Sequence, residues 1–435
     1  MGSFLSRFGS QKPLAASGFV AVLATFAGSS LFAQVRQYTP PGGLGEELEG
    51  RKDRLEKAVE DARWHLGGLR LDPALWISDV SYVDSPAVGA DSDLTARAGA
   101  GLRAYLPVGS KTTFAAYALP EYIWWQERED ERRVNQRFGV GSFTYFNRLS
   151  IELTAERNED FDYVTGELLQ RVTARQDRLE LELEVPIFHT ISISASGFRH
   201  EFESLAEDGD LDLVFSNLDR EDTGYRAGIR YRPTEEVYVG GGAGHAESDF
   251  AADAADRSNS GDFWYAELGW QRPKLLAAFV YEQNDLSGDE ESSFVAYTGD
   301  TYSAHIEWRP RDTFAPRLYG SRALGYSALP GLGTAFVDET YGVGLRMKLG
   351  WRLELDVFTE TGSLEYDEEL GGTGTKDDIE RSGAFLTIDL GRNFELGVGY
   401  RQSRIDRSGP FPDQKIDEIR GSLRFGLGAG SGTWY

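Results

Sequence analysis

The feature that most constrains this chain is a two-residue alternation of apolar and polar side chains, which recurs between turn sequences after residue 65. Within residues 224–232 (GYRAGIRYR), Tyr225 and Ile229 fall on one face of an extended strand, and Arg226 and Arg230 fall on the other. If the apolar face meets lipid, a shift of the register by one residue places the arginine side chains in the hydrocarbon. This costs about 2 to 4 kcal/mol for each arginine near the midplane. The pattern predicts membrane-spanning β-strands with a strongly fixed register.

The connections between these strands alternate between short and long. Short turns occur at residues such as 147–148 and 233–235, whereas long polar connections occupy residues such as 205–219 and 367–377. Bacterial outer-membrane barrels have short periplasmic turns and longer extracellular loops. The sequence therefore predicts an all-β fold, a transmembrane antiparallel up-and-down β-barrel of about 18 strands. The sixth of these predicted strands spans residues 168–185. Sixteen strands is the alternative, because Gly, Ala and Pro obscure the alternation in strands three, nine, eleven and thirteen.

The predicted division of the chain has three parts. Residues 1–33 contain Arg7 and Lys12, then an apolar run and small residues, which is typical of a cleaved signal peptide. Residues 34–64 are expected to form a periplasmic leader with a short amphipathic helix. Residues 65–435 are expected to form the barrel. The predicted location is the outer membrane of a Gram-negative bacterium.

A helical periodicity is visible in residues 44–64, where Leu48, Leu55, Val59 and Ala62 share one stripe. One interpretation is a plug or a docking handle for a periplasmic partner. The other is a helix that lies loosely beside the barrel mouth. The second interpretation is favoured because the stripe is thin.

The composition excludes several classes of function. The chain has 45 Lys+Arg and 70 Asp+Glu, and residues 1–33 hold two of the basic residues, so the mature net charge is 43 minus 70, or −27. This charge argues against a nucleic-acid partner. The chain has no cysteine, which excludes disulfides and thiolate metal sites.

A barrel of sixteen to eighteen strands encloses more space than side chains fill, so the sequence predicts a water-filled lumen. Three glutamates on one predicted strand form an acidic wall without matching bases, which favours cation passage. Elsewhere, opposite charges face each other across a tight turn, as Arg346 and Lys348 do with Glu354 and Asp356. The predicted pore-lining residues are Arg97, Arg103, Glu152, Glu156, Glu180, Glu182, Glu184, Arg226, Arg230, Glu307, Arg346, Lys348, Glu354 and Asp356.

Aromatic residues flank the predicted short turns, where Trp and Tyr suit the boundary between lipid and water. This predicts a periplasmic girdle. Its members are Tyr231, Trp270, Trp308, Trp351 and Phe394.

Catalytic and metal sites are not predicted. The five histidines are scattered, and the best candidates are His200 and His245, which have acidic neighbours in sequence. Asp208, Asp210 and Asp212 have the spacing of the first ligands of a calcium loop, but the Gly and Glu that complete such a loop are missing. No cofactor is expected.

Three segments carry a family resemblance, namely residues 69–75 (LRLDPAL), 145–149 (YFNRL) and 390–401 (LGRNFELGVGYR). In these segments the chain resembles the outer-membrane β-barrel porin family associated with exopolysaccharide export. The resemblance covers about residues 65–428. It implies a conduit through which a secreted polysaccharide leaves the cell, together with a periplasmic export protein.

The sequence thus predicts a passive outer-membrane channel, with polysaccharide as the expected solute. The alternatives are a general diffusion porin for small solutes and a plugged structural or adhesive barrel whose acidic loops carry the function. The expected partners are outer-membrane lipid and lipopolysaccharide, and a periplasmic polysaccharide-export protein.

Overall fold

The structure is a computed structural model that describes most of the chain after residue 50. The described residues are 51–84, 93–129, 132–205, 214–234, 236–251, 257–288, 292–329, 331–368, 371–391, 394–409 and 411–427. The predicted signal peptide, Leu48, the aspartates at 208, 210 and 212, and residues 428–435 lie outside them. In these ranges no helix combines the length and apolar character needed to cross a membrane.

The described chain consists of one helix, α1 (Arg51–Asp61), a three-residue strand Trp64–Leu66, a 3₁₀ helix Ser216–Leu218, and the strands of a barrel. Two of the barrel strands are each interrupted once. The barrel strands are β1 (Leu69–Asp84), β2 (Asp93–Val108), β3 (Thr112–Ala118 and Glu121–Trp125), β4 (Arg133–Asn135 and Arg137–Phe146), β5 (Leu149–Tyr163), β6 (Arg171–Pro186), β7 (Ile191–Ser204), β8 (Arg220–Thr234), β9 (Val237–Phe250), β10 (Asn259–Arg272), β11 (Leu275–Gly288), β12 (Tyr297–Trp308), β13 (Phe314–Tyr326), β14 (Ala335–Leu349), β15 (Leu353–Tyr366), β16 (Thr375–Gly391), β17 (Phe394–Asp406) and β18 (Gln414–Leu427).

Each barrel strand pairs antiparallel with its neighbours in sequence, and β1 pairs with β18 to close the sheet. Tyr82 of β1, for example, lies opposite Ile419 of β18. A closed sheet has no edge strand, so each strand has a hydrogen-bonded neighbour on both sides. The prediction of eighteen antiparallel strands is confirmed, and the alternative of sixteen is wrong.

The apolar face of the strands is the outer face of the barrel. On β8, Tyr225 and Ile229 are 63% and 59% exposed, whereas Arg230 on the opposite face is 5% exposed. The same alternation continues on other strands, where exposed apolar side chains include Val343 on β14 and Val398 on β17. An apolar outer surface and a polar inner surface are what a lipid-embedded barrel requires.

Short turns join the strands at one end of the barrel, and long connections join them at the other end. Gly109 and Gly350 adopt φ values of 66° and 78° in two of the short turns, a backbone region that glycine enters without a steric penalty. The interruption of β3 coincides with Pro120, which has no N–H for the ladder. Leu119 N–H still donates to the Arg137 carbonyl of β4 at 2.7 Å, so the wall stays closed there.

Two predicted boundaries differ from the structure. The predicted helix covers residues 44–64, but α1 ends at Asp61 and Trp64 begins a strand that pairs with Leu71; residues 44–50 lie outside the described ranges. The predicted sixth strand begins at residue 168, but β6 begins at Arg171. Leu168 and Leu169 precede it and do not belong to the barrel wall.

Candidate functional site

Several charged side chains of the inner face pair across alternate strands, over the strand that lies between them. Arg230 of β8 binds Glu267 of β10 through two hydrogen bonds, Nε to Oε1 at 2.7 Å and a terminal nitrogen to Oε2 at 3.0 Å. The intervening strand β9 presents Gly240, where a Cβ would collide with the Glu267 side chain. The glycine therefore allows two long side chains to meet across the concave wall.

The acidic wall predicted on β6 is partly neutralised. Glu184 Oε1 lies 2.6 Å from the Arg232 guanidinium and Oε2 lies 3.7 Å from that of Arg230. Glu180 lies 3.0 Å from His200 Nε2. The expectation that these glutamates lack matching bases is therefore wrong for Glu184, because β8 supplies two arginines from two strands away.

Two glutamates of this wall oppose each other directly. Glu152 of β5 is the cross-strand partner of Glu182 of β6, and like charges at such positions repel. The Tyr145 hydroxyl donates to Glu152 at 2.9 Å. Four residues further along β5, Glu156 lies opposite Arg178 and accepts a hydrogen bond from the Tyr117 hydroxyl at 2.9 Å. The register thus brings two carboxylates together at Glu152 and Glu182.

A second network occupies strands β12 to β15. Arg317 of β13 binds Asp356 of β15 through two hydrogen bonds of 2.6 and 2.7 Å, and again the middle strand has a glycine, Gly344. Arg346 lies within 3.4 Å of Asp356 and 3.9 Å of Glu307. The register places Arg346 opposite Asp356 and Lys348 opposite Glu354, as the sequence predicts.

A third network involves strands β1 to β5. Arg97 lies 2.9 Å from Asp160 and 3.5 Å from Glu121, and the Trp76 indole N–H donates to Glu121 at 2.8 Å. Arg103 lies 3.7 Å from Asp72. Sequence reasoning identified the arginines and missed their carboxylate partners. A useful signal was available, since Glu121 and Asp72 interrupt apolar runs on their strands.

The short-turn end of the interior contains α1. Leu55 and Ala62 belong to a buried cluster whose other members lie on the inner face of β1 to β4, and Val59 packs against it. The barrel members of this cluster are Ala74, Trp76, Tyr105, Ala115, Tyr117, Leu119 and Phe143. The interpretation of a helix lying loosely beside the mouth is therefore wrong, because α1 is packed against aromatic side chains inside the barrel.

The long-connection end contains a larger apolar cluster, which we call the mouth cap. Its members come from the ends of strands between β5 and β18 and from the connections between them. They are Tyr163, Val164, Leu168, Leu169, Val172, Ala174, Phe202, Phe215, Leu218, Leu286, Phe294, Tyr297, Leu324, Tyr326, Ala328, Leu329, Leu332, Ala335, Phe336, Val337, Leu364, Tyr366, Ile379, Ile405 and Ile416. An apolar cluster at a position open to water in a wide barrel indicates that the connections fold inward.

One connection crosses this mouth. Residues 164–170, which we call the strap, join β5 to β6, and every one of them is buried except Gln170, which is half-buried. Leu169 N–H donates to the Gln414 side chain of β18 at 2.9 Å, and Glu167 reaches the connection between β13 and β14. Strands β5 and β13 are eight positions apart in a ring of eighteen, so the strap spans nearly the full width of the barrel.

Ion pairs hold the base of the strap. Glu418 of β18 is fully buried and pairs with Arg171, the first residue of β6. Its other oxygen lies 2.8 Å from Arg401 and 2.9 Å from Arg420. Charges buried at this depth are tolerated when they are paired, and removal of one partner is costly.

Between α1 and the mouth cap, part of the inner face is accessible to solvent. Arg178 is exposed, and Glu156, Asn158, Gln176 and Glu182 are half-buried. These residues lie on β5 and β6, away from the β1–β4 wall that α1 covers. A polar passage between the two occluded ends would follow this wall.

The predicted girdle residues lie beside the short turns on the outer surface. Trp351 is the most exposed of them, at 80%, and Tyr231, Trp270, Trp308 and Phe394 are each more than a third exposed. Six residues earlier on β8 and β10, Tyr225 and Trp264 face outward too. Six residues correspond to about 20 Å along a strand, so aromatic side chains occur at two heights on the outer surface.

The histidines of interest do not assemble a metal site. His245 Nδ1 lies 2.8 Å from Asp262 on the outer face, and His200 contacts Glu180 on the inner face. Within the ranges that the structure describes, no group of three His, Cys, Asp or Glu residues is arranged to hold a metal ion.

No protein-family model matches this sequence, and no curated protein matches it either. The crystal structure of Pseudomonas aeruginosa OccK2 (OpdF) in complex with glucuronate is similar to the chain, with 12% identity, a TM-score of 0.50, and 82% of this chain and 98% of that chain covered. A second crystal structure of the same protein gives 11% identity and a TM-score of 0.51, with the same coverage. Acinetobacter baumannii OccAB4 gives 10% identity and a TM-score of 0.48, with 82% and 97% covered. The OccK2 likeness shows a shared barrel fold.

Proposed function

We propose that this protein is an outer-membrane channel that conducts small polar solutes along the β5–β6 inner wall. The observation that carries the proposal is the division of the barrel surface. The outer face exposes apolar side chains such as Ile229, while the inner face keeps accessible charged side chains such as Arg178 and Glu182. Charged side chains that are accessible on the inner wall offer a polar path to a small solute, as the wet interior of a channel does.

The choice of small solutes depends on the occluded ends. The strap and mouth cap narrow one end, and α1 narrows the other. A secreted polysaccharide needs a continuous wide track, whereas a small solute needs only the polar strip between these obstructions. Polysaccharide export, with a periplasmic export protein as partner, therefore stands as the second proposal, which the experiment below separates from the first.

We also propose that Glu152 and Glu182 give the channel a preference for cations. Glu182 is half-buried on the inner face, and Glu152, which is buried behind it, faces it directly across β5 and β6. The arginines of β8 bind the neighbouring Glu184. In a narrow passage with low-dielectric walls, fixed negative charge raises the local cation concentration.

The first test is the single-channel conductance of the purified protein in a planar bilayer. The channel proposal predicts discrete conductance steps, and it fails if well-folded protein gives none under any pH or salt condition. Glucuronate, the molecule in the OccK2 complex, serves as a small charged probe, and a soluble acidic polysaccharide serves as the large one. If the polysaccharide blocks the conductance and glucuronate does not permeate, the result favours export. If glucuronate permeates, the result favours the small-solute channel.

The selectivity proposal has its own variant. Glu152→Gln with Glu182→Gln should lower the cation-to-anion permeability ratio, measured from the reversal potential in a KCl gradient. Glu247→Gln, an exposed outer-face glutamate, is the matched control. An unchanged reversal potential in the double variant would remove these glutamates from the permeation path.

A further inference from the structure

The strap contacts the opposite side of the mouth through one carboxyl group. Glu167 is the only titratable side chain in residues 164–170, and it is fully buried. Its Oε1 lies 2.6 Å from the Ser327 hydroxyl, and its Oε2 accepts a hydrogen bond from Ala328 N–H at 2.6 Å. Both partners belong to the connection between β13 and β14. The strap is therefore fastened at its centre by the carboxyl of Glu167.

The hydrogen bonds between the strap and this connection are all satisfied when the Glu167 carboxyl carries a proton. A protonated Oε1 can donate to Ser327 Oγ, because the Ser327 hydroxyl has its own acceptor in the Leu329 carbonyl at 3.3 Å. Ala328 N–H continues to donate to Oε2. Each oxygen of the neutral carboxyl then has a hydrogen-bond partner. The docked strap can therefore hold the protonated form without the loss of a hydrogen bond.

The ionised form keeps the hydrogen bonds from Ser327 and Ala328, but among the described residues no basic side chain forms an ion pair with this carboxylate. Arg407, in the connection between β17 and β18, donates to the Glu167 backbone carbonyl, but its guanidinium also pairs with Asp377 of β16 at 2.8 Å. Arg257, in the connection between β9 and β10, is directed to the carbonyls of Ser327 and Asn217.

Two acidic or phenolic groups complete the surroundings of the strap centre. Asp338 of β14 lies beside Gly166, and Tyr366 of β15 adjoins the Glu167 carboxyl. Burial outweighs the nearby hydrogen bonds and the Arg407 charge, and raises the pKa of Glu167 from 4.5 to about 7.

We propose that the strap is a pH-sensitive gate of the long-connection mouth, docked while the Glu167 carboxyl carries its proton and released when it loses that proton. This inference rests on the proposed channel function for its physiological meaning. A carboxyl whose pKa is raised on docking favours the docked state, and that contribution is complete below pH 4.5 and is lost as the pH rises toward 7. The gate is closed in acid and opens in alkali.

The size of the effect follows from the two pKa values. With 4.5 for the released strap and about 7 for the docked one, the ratio of released to docked strap rises roughly 30-fold between pH 5.5 and 8.5. The population of the released strap should therefore change over a range that membrane proteins tolerate.

A thiol on the opposite wall can report release of the strap. The chain has no cysteine, so Leu364→Cys introduces a single one at a fully buried position beside Gly166. Its rate of reaction with a membrane-impermeant maleimide is measured from pH 5.5 to 8.5 in the full-length protein. The same thiol is measured with Glu167→Gln, so that the ionisation of the thiol itself cancels in the ratio.

The expected result is a ratio of rates, Leu364→Cys alone over Leu364→Cys with Glu167→Gln, that rises about 30-fold across this range. The glutamine is a permanently neutral analogue of the protonated carboxyl and should keep the strap docked at every pH. Glu368→Gln, which changes an exposed glutamate at the same mouth, should leave the labelling of Leu364→Cys unaltered. A ratio that stays constant with pH would overturn the gate.

A second variant protects the test against misfolding of Glu167→Gln. Ser327→Ala removes the hydroxyl partner and should raise labelling at every pH while it keeps the pH dependence. Loss of the pH dependence in Ser327→Ala, with Glu167 intact, would also overturn the proposal.

Conductance separates the gate from the channel function. An increase in conductance with pH, absent in Glu167→Gln, supports both. Labelling that follows pH while no variant conducts supports the moving strap and refutes the channel. Conductance that has the same pH dependence in Glu167→Gln as in the unmodified protein refutes the gate and leaves the channel intact.

Discussion

The packing of α1 inside the barrel predicts that a single leucine side chain keeps it there. Leu55 is 2% exposed and contacts the aromatic cluster on β1 to β4. Truncation to alanine in such a site costs about 2 to 4 kcal/mol. An isolated helix of 11 residues is marginal in water, so α1 owes its structure to docking. A loss of about 3 kcal/mol shifts the ratio of undocked to docked helix roughly 150-fold.

Limited trypsin digestion measures that ratio, because Lys52 and Lys57 lie within α1 and the cleavage rate follows the undocked population. In Leu55→Ala the peptide bonds after these lysines should be cleaved many times faster than in the unmodified protein, with the barrel left intact on the gel. Glu60→Ala, which changes an exposed residue of the same helix, should leave the rate almost unchanged. Equal cleavage rates for Leu55→Ala and Glu60→Ala would refute the docking of α1 in the interior.

Three further substitutions test the wall and the mouth. Glu418→Gln leaves Arg171 and its neighbouring arginines without their buried carboxylate, and we expect a loss of about 3 to 5 kcal/mol in the free energy of unfolding, measured by urea titration in detergent micelles. Unfolding midpoints equal to those of the unmodified protein would mean that these charges are hydrated. Ile229→Arg places a charge on the lipid-facing surface and should cost about 2 to 4 kcal/mol in bilayers, while unfolding in loosely packed micelles should show a smaller loss. Gly242→Ala brings a Cβ against the Ala227 carbonyl and should cost about 1 to 3 kcal/mol, whereas Gly197→Ala, with its nearest neighbour at 3.7 Å, should be close to neutral; similar losses for both would contradict the contact.

The sequence was sufficient for the barrel wall because one rule, the alternation of apolar and polar residues, governs every strand. Tyr225 and Ile229 face outward and Arg226 and Arg230 face inward because lipid lies on one side of the strand and water on the other. This alternation can be predicted without knowledge of distant contacts. Turn residues then mark the ends of the strands. The number of strands counted in this way is large and even, as expected for a closed barrel.

The interior was less predictable because its contacts depend on curvature. Arg230 reaches Glu267 only because β9 has a glycine between them and the wall is concave, and neither condition is visible in a local window of sequence. For this reason the pairing of Glu184 with arginines two strands away was missed.

The strap was missed for a different reason. Leu168 and Leu169 continue the apolar pattern of the following strand, so the sequence assigns them to the barrel wall. In the structure they belong to the mouth cap, and the wall begins at Arg171. Apolar residues inside a long polar connection, such as Phe215 and Leu332, are a signal that could identify inward-folding connections.

The strands are longer than a bilayer needs. A tilted strand crosses the hydrocarbon in about 9 to 11 residues, whereas β6 has 16 and β16 has 17. The surplus of about 5 residues corresponds to roughly 12 Å of height at the usual tilt of about 40°. At the long-connection end the outer surface carries ion pairs, including Lys415 with Asp417 at 2.8 Å.

This surplus forms a hydrogen-bonded collar, which in a bilayer of ordinary thickness would extend beyond the hydrocarbon. If the short turns face the periplasm, as in bacterial outer-membrane barrels, the collar projects into the external medium and carries the strap with it. The Glu167 switch would then sense the acidity of the surroundings of the cell and would be insulated from changes in membrane thickness. A cell in an acidic environment would seal its envelope at this protein without synthesising or degrading anything.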